Sequence, residues 1–139
     1  MPISMIDPYA ATQSIISGIS GLSALVSTRI YGVPGILPEG YTLPAVAWYS
    51  LGVVTDLYVP KVTIRIGMKV YADTIGSAMT IHRTIHDGLH RKARAVTATT
   101  KVISYTAWEE IFSDGFDETI NKPFIFSTWV LILGETAHP

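Results

Sequence analysis

The sequence predicts an α+β fold, with a mainly antiparallel sheet of about four to six strands packed with two α-helices in a single domain spanning residues 1–139. Three observations predict it. From Lys61 to Tyr71, Val62, Ile64, Ile66, Met68 and Val70 alternate with Lys61, Thr63, Arg65, Lys69 and Tyr71, the period of a strand with one buried face. Directly afterwards the period lengthens, so that Ile75, Ala78, Ile81, Ile85 and Leu89 fall along one side of a helix. Finally, Pro123 to Leu133 is apolar on both faces, through Phe124, Phe126, Val130 and Ile132 on one and Ile125, Trp129, Leu131 and Leu133 on the other. Such a strand needs cover on both sides.

Taken in order, the chain opens with an amphipathic helix starting near Asp7 and Pro8, in which Ile15, Ile19, Leu22 and Val26 recur at helical spacing while Gln13, Ser17, Ser20 and Ser27 occupy other faces. Gly18 and Gly21 weaken it. Arg29 to Tyr31 reads as a short strand. The three prolines and three glycines of Gly32 to Pro44 exclude regular structure there, and a loop of that length is commonly functional or ordered by a partner.

Ala45 to Leu51 is the next strand, apolar on both faces. Gly52 to Pro60 connects it to the central strand, and the tip Asp56, Leu57, Tyr58 and Val59 suits contact better than solvation. Asp73 and Thr74 can cap the helix over Ile75 to Leu89, and the basic residues between Gly88 and Arg94 sit at its negative pole. Val96 to Thr100 is β-prone. Val102 to Phe112 alternates imperfectly, with Ile103, Tyr105, Ala107 and Ile111 on one side, and Ser113 to Asp117 has the composition of a turn.

Composition narrows the function. Hydrophobic content is 48%, charged residues make up 15% and mean hydropathy is +0.35, so some apolar surface is expected to be covered by other subunits. A net charge of −1 offers no general attraction for nucleic acid or anionic membrane. The absence of cysteine excludes disulfides and thiolate metal sites. Pro8 to Thr28 is uncharged, but Gln13, the serines and the two glycines argue against a membrane span, and Met1 to Asp7 lacks the basic segment of a secretory signal.

Candidate chemistry is sparse. His82, His86 and His90 form one helical stripe, a spacing at which two imidazoles can share a metal, yet the Glu of a zinc-protease motif is missing. His82 falls within the apolar stripe and the other two at its edge, which favours core or boundary histidines; a small metal-dependent enzyme on His82 and His86 is the alternative from another class. Glu109, Glu110, Asp114, Asp117 and Glu118 form the acidic cluster, read as a solvated turn or as charges for a neighbouring subunit. Gly32-Val33-Pro34-Gly35 lacks the Lys and helix of a phosphate loop, and no serine sits in a nucleophile elbow. No catalytic residue, metal ligand or cofactor is expected.

The order of elements and several local stretches resemble the tail-terminator, or tail-completion, proteins of long-tailed bacteriophages and phage-like particles. The likeness rests on a helix ending in Thr28-Arg29-Ile30-Tyr31, a Pro/Gly loop running to Leu43-Pro44-Ala45-Val46, the strand Val62 to Tyr71 with Ala72, the helix closing in Asp87-Gly88-Leu89, and the strand Pro123 to Leu133. It implies a non-enzymatic virion subunit that forms a ring, typically a hexamer, on the head-proximal end of the tail tube. The ring stops tube polymerisation and joins the tail to the head connector.

The implied partners are further copies of the chain, the tail tube protein, and a head-tail connector or head-completion protein. DNA would be only passing cargo and no membrane is involved; the implied location is the neck end of the tail in the virion, after assembly in the host cytoplasm. Contacts are expected from the long loop, from Asp56 to Val59, and from the Ser113 to Asn121 turn with Asp114, Phe116 and Asp117. Lys61, Arg65 and Lys69 form the candidate lumen-facing basic row, less charged than the lumen the resemblance implies. A head-completion or neck adaptor subunit at the same junction is the alternative.

Overall fold

A computed structural model describes residues 7–32, 35–55, 61–90, 94–96 and 102–135. Its elements run α1 (Pro8–Ser17), α2 (Leu22–Val26), β1 (Ile30–Tyr31), β2 (Ala45–Thr55), β3 (Lys61–Tyr71), α3 (Ile75–Leu89), β4 (Arg94–Val96), β5 (Val102–Asp117) and β6 (Lys122–Glu135). The strands form one sheet in the order β1-β2-β3-β6-β5-β4, antiparallel except where β1 lies parallel to β2. This is the α+β class expected, with β3 bonded along its length to β2 on one side and β6 on the other.

All three helices cover the same face of the sheet. Val62, Ile64, Ile66, Met68 and Val70 of β3 and Ile125, Trp129, Leu131 and Leu133 of β6 join Ile15, Ile16, Leu22, Val26, Ile81, Ile85 and Leu89 in one buried cluster. Local chemistry places the helices. Asp7 accepts hydrogen bonds at Oδ1 from the backbone N–H groups of Tyr9 (3.0 Å) and Ala10 (3.1 Å), with Pro8 in the first turn of α1. Thr74 Oγ1 accepts from Ser77 N at 3.1 Å to cap α3.

Four expectations are corrected. The first helix is two: Gly21 takes a left-handed φ of 84°, which breaks the run before Leu22. Strand β2 continues past Leu51 to Thr55 by way of a bulge between Ser50 and Gly52. Ser113 to Asp117 is strand, because Ser113, Asp114 and Gly115 pair with Phe126, Ile125 and Phe124. Gly115 belongs there for close packing, since a Cβ on it would lie 2.5 Å from Phe124 Cζ. The turn follows at 118–121, where Asp117 Oδ1 accepts from Thr119 N (2.9 Å) and Asn121 has a φ of 57°.

Lastly, bulges in β5 between Ser104 and Thr106 and between Glu109 and Ile111 shift its phase. Ala107 stays buried while Ile111 is exposed on the opposite face. Residues 35–44 hold no helix or strand, as the prolines and glycines require. Arg29 closes that loop by donating from Nε to the Pro44 carbonyl at 2.8 Å.

Gln13 does more than face solvent. Its Nε2 donates to the Ile30 carbonyl (2.9 Å) and its Oε1 accepts from Trp48 Nε1 (2.7 Å), so one amide ties α1 to β1 and β2.

Candidate functional site

The densest polar chemistry among the described residues lies between α3 and β5. Strand register puts Glu109 opposite Trp129 on the helix-covered face, where its side chain is only 7% exposed. The histidine stripe of α3 descends onto it. Glu109 Oε1 stands 2.6 Å from His82 Nε2, and Oε2 accepts from His86 Nδ1 at 3.0 Å. The backbone N–H of Glu109 donates to His90 Nδ1 at 3.0 Å. His86 and His90 stack with ring centroids 4.5 Å apart, and both rings border Trp129.

The His82 contact is short but misaligned. Neither Nε2 nor Oε1 meets hydrogen-bond geometry, and we therefore read it as a close electrostatic contact and not an aligned bond. Nδ1 of His82 likewise has no hydrogen-bond partner among the described residues. Phe112 packs against its ring at 4.8 Å.

The cluster is thus directed inward. His86 Nδ1, His90 Nδ1 and His82 Nε2 all approach one residue, and no group of three or more His, Asp or Glu side chains among the described residues is arranged to hold a metal ion. What the arrangement does chemically is fasten α3 to β5 through a buried carboxylate.

Burial lowers the pKa of His82 below 6.5, with the Glu109 charge pulling it back up and His86 adding to the fall. The folded protein therefore binds this proton less readily than the unfolded chain. Stability from His82 is full above the unfolded-chain pKa of 6.5 and falls as pH drops below it toward the lower folded value. We expect the urea midpoint to fall between pH 7.5 and pH 5, and the fall to be smaller in His82→Gln. An equal fall in the two proteins would show that other groups carry the acid sensitivity.

The other face of the sheet carries no helix among the described residues. There Lys61, Arg65 and Lys69 line one side of β3, as the alternation predicts. Arg65 is paired, with Nε and Nη2 each 3.1 Å from a Glu110 carboxylate oxygen. This is an exposed pair of small energetic weight, but it cancels one charge of the basic row. Lys69 Nζ stands over the Phe124 ring at 5.1 Å.

Tyr49 and Tyr71 cover the first half of β6 on this face, at Phe124 and Phe126. Tyr49 reaches across β3 at Gly67, where a Cβ would lie 2.6 Å from its Cζ, and stacks on Phe126 at 6.5 Å. Tyr71 packs on Phe124 at 5.6 Å. Its phenol is pushed up to about 12 by burial, then by the charge and hydrogen bond of Asp117.

Of the residues expected to make contacts, Asp56, Leu57, Tyr58 and Val59 lie outside the described residues. Asp114 and Phe116 are exposed on β5, on the helix side, whereas Asp117 is engaged within the chain by Tyr71 and by the following turn. Glu109 was missed as a partner of the histidines. Its signal was its parity with Ala107, which placed an acid on the apolar side of an alternating strand.

No protein-family profile matches the chain, and no curated protein matches it. Among solved structures, the fold is similar to that of a chain of the "Virion of native gene transfer agent (GTA) particle". The TM-score is 0.63 at 14% identity, over 91% of this chain and 94% of that one. At that identity the likeness establishes a shared fold.

Proposed function

We propose that this chain is a structural subunit of a phage-like virion, and within that class a tail terminator. In this reading the single domain forms a ring, a hexamer by analogy, on the head-proximal end of the tail tube, halts tube polymerisation there and receives the head connector. The observation that carries it is the end-to-end fold likeness to a chain of a gene transfer agent virion. The apolar composition and the exposed apolar side chains of β2 and β5 support an assembled state. The role requires no catalytic group, which suits a histidine cluster turned inward on a structural carboxylate.

Lys61 and Lys69, with Arg65 partly neutralised by Glu110, would give a mildly positive helix-free face, and if that face lines the ring, DNA passes it as cargo. The test is solution mass by light scattering across a concentration range, with and without tail-tube protein. A mass near six times 15.1 kDa, alone or on the tube, is expected. A monomer that ignores the tube would sink the reading, and a ring that binds connector protein but not tube would point to a neck adaptor instead.

A further inference from the structure

The sheet ends in strands too short to close it. β1 pairs only with Val46 and Ala47 of β2, and β4 only with Val102 to Ser104 of β5. The loop at Gly35 passes beside Trp48 and Tyr49. Beyond these points the outer edges of β2, from Ser50 to Thr55, and of β5, from Thr106 to Asp117, carry no strand among the described residues. Half the backbone N–H and C=O groups along such a run face outward, a template for a further strand.

Natural edges are usually guarded by lysine, proline or an inward charge. Neither run contains Lys, Arg or Pro; each holds one bulge, and the inward charge on β5, Glu109, is taken up by the histidines of α3. Exposed apolar side chains gather on the same two strands instead: of the eight large exposed hydrophobic residues among the described ones, five are Leu51 (46%) and Val54 (68%) on β2 and Ile111 (63%), Phe112 (47%) and Phe116 (56%) on β5. An exposure pattern concentrated on two open edges marks an interface.

We infer that the occupant of each edge is the other edge of a second copy, so that β5 of one subunit pairs with β2 of the next and the sheet continues from subunit to subunit. Direction allows it: the three antiparallel steps from β2 through β3 and β6 to β5 leave β2 and β5 antiparallel, the sense in which a continued sheet would join them. Charge favours it over self-pairing. Two β5 edges would bring Glu109, Glu110, Asp114 and Asp117 toward their equivalents, whereas the β2 run is uncharged. A β5-to-β2 contact is heterologous and repeats until it closes a ring. The ring closure rests on the proposed function; the edge pairing stands on the two edges themselves.

The chain has no cysteine, so engineered thiols report without background. Val54→Cys combined with Thr106→Cys, Ile111→Cys or Ser113→Cys samples three registers on one face of the sheet. Each protein is oxidised with and without tail-tube protein and run under non-reducing conditions. At least one double variant is expected to give a ladder ending at the closed ring, at least tenfold stronger than in the single variants. Leu51→Lys with Val54→Lys is expected to abolish oligomer mass while leaving the far-UV spectrum and unfolding midpoint unchanged.

A ring by mass with no ladder in any register, or one that survives both lysines, overturns the edge pairing but leaves the ring reading standing. Dimers from Ile111→Cys alone would overturn it in favour of β5 self-pairing. A monomer under both conditions overturns the edge pairing together with the proposed function.

Discussion

Replacing Glu109 with alanine is expected to lower the unfolding free energy by about 3 kcal/mol, the range for removing one partner from a buried polar cluster. The carboxylate is 7% exposed and His82 2%. Without it, the buried His82 imidazole loses its close electrostatic contact at Nε2, His86 loses its Nδ1 acceptor, and a void opens under α3. The backbone bond to His90 Nδ1 survives, so α3 should remain helical.

Glu109→Gln separates shape from charge. It retains an acceptor of the same size and should cost about 1 kcal/mol, the net value of a typical hydrogen bond. Urea unfolding at pH 7.5 measures both variants. Equal midpoints for Glu109→Ala and wild type would show that the carboxylate contributes nothing to holding the helix.

The second large effect is expected at Trp129. Its indole is fully buried between the sheet and α3, against His86 at 6.2 Å and His90 at 6.3 Å, and Nε1 donates to Ser127 Oγ at 2.9 Å. Trp129→Ala should cost about 4 kcal/mol, the transfer of the ring plus the cavity it leaves. Ser127 is itself buried and would lose its donor. Unfolding midpoint and near-ultraviolet dichroism measure the loss, and a midpoint within experimental error of wild type would contradict the packing described above.

The two expected losses should not add. Trp129 and Glu109 are register partners across β5 and β6 and share the histidines as neighbours, so the double variant should lose less than the sum of the singles.

Most of the architecture was legible wherever one face is buried and one is not. The alternation of Lys61 to Tyr71 and the helical stripe from Ile75 gave β3 and α3 with their observed ends, because burial imposes the period on the residues. It failed at β5 for two physical reasons. Ser113-Asp114-Gly115 has turn composition, but pairing with β6 and the seat that Gly115 provides for Phe124 outweigh local preference. Bulges also change strand phase without leaving a mark in composition, which sent Ile111 to the wrong side.

The candidate cluster was half visible. The stripe of His82, His86 and His90 could be read from spacing, whereas their partner is supplied by a strand whose sequence distance from α3 carries no periodic signal. Gln13 is a similar case: a polar residue on a helix reads as solvent-facing until the partners at Ile30 and Trp48 are brought to it.

Strand β6 follows every other described strand in the sequence, yet it lies inside the sheet between β3 and β5. During synthesis, therefore, β5 and its partner β4 are not joined to β1, β2 and β3 until β6 has left the ribosome and inserted beside β3. Pairings that distant in sequence make folding slow compared with a helical protein of similar size. They also delay assembly: the two outer edges come to stand on opposite sides of one sheet only after insertion of β6. If subunits join by those edges as proposed, a nascent chain cannot add to a ring before it has finished folding.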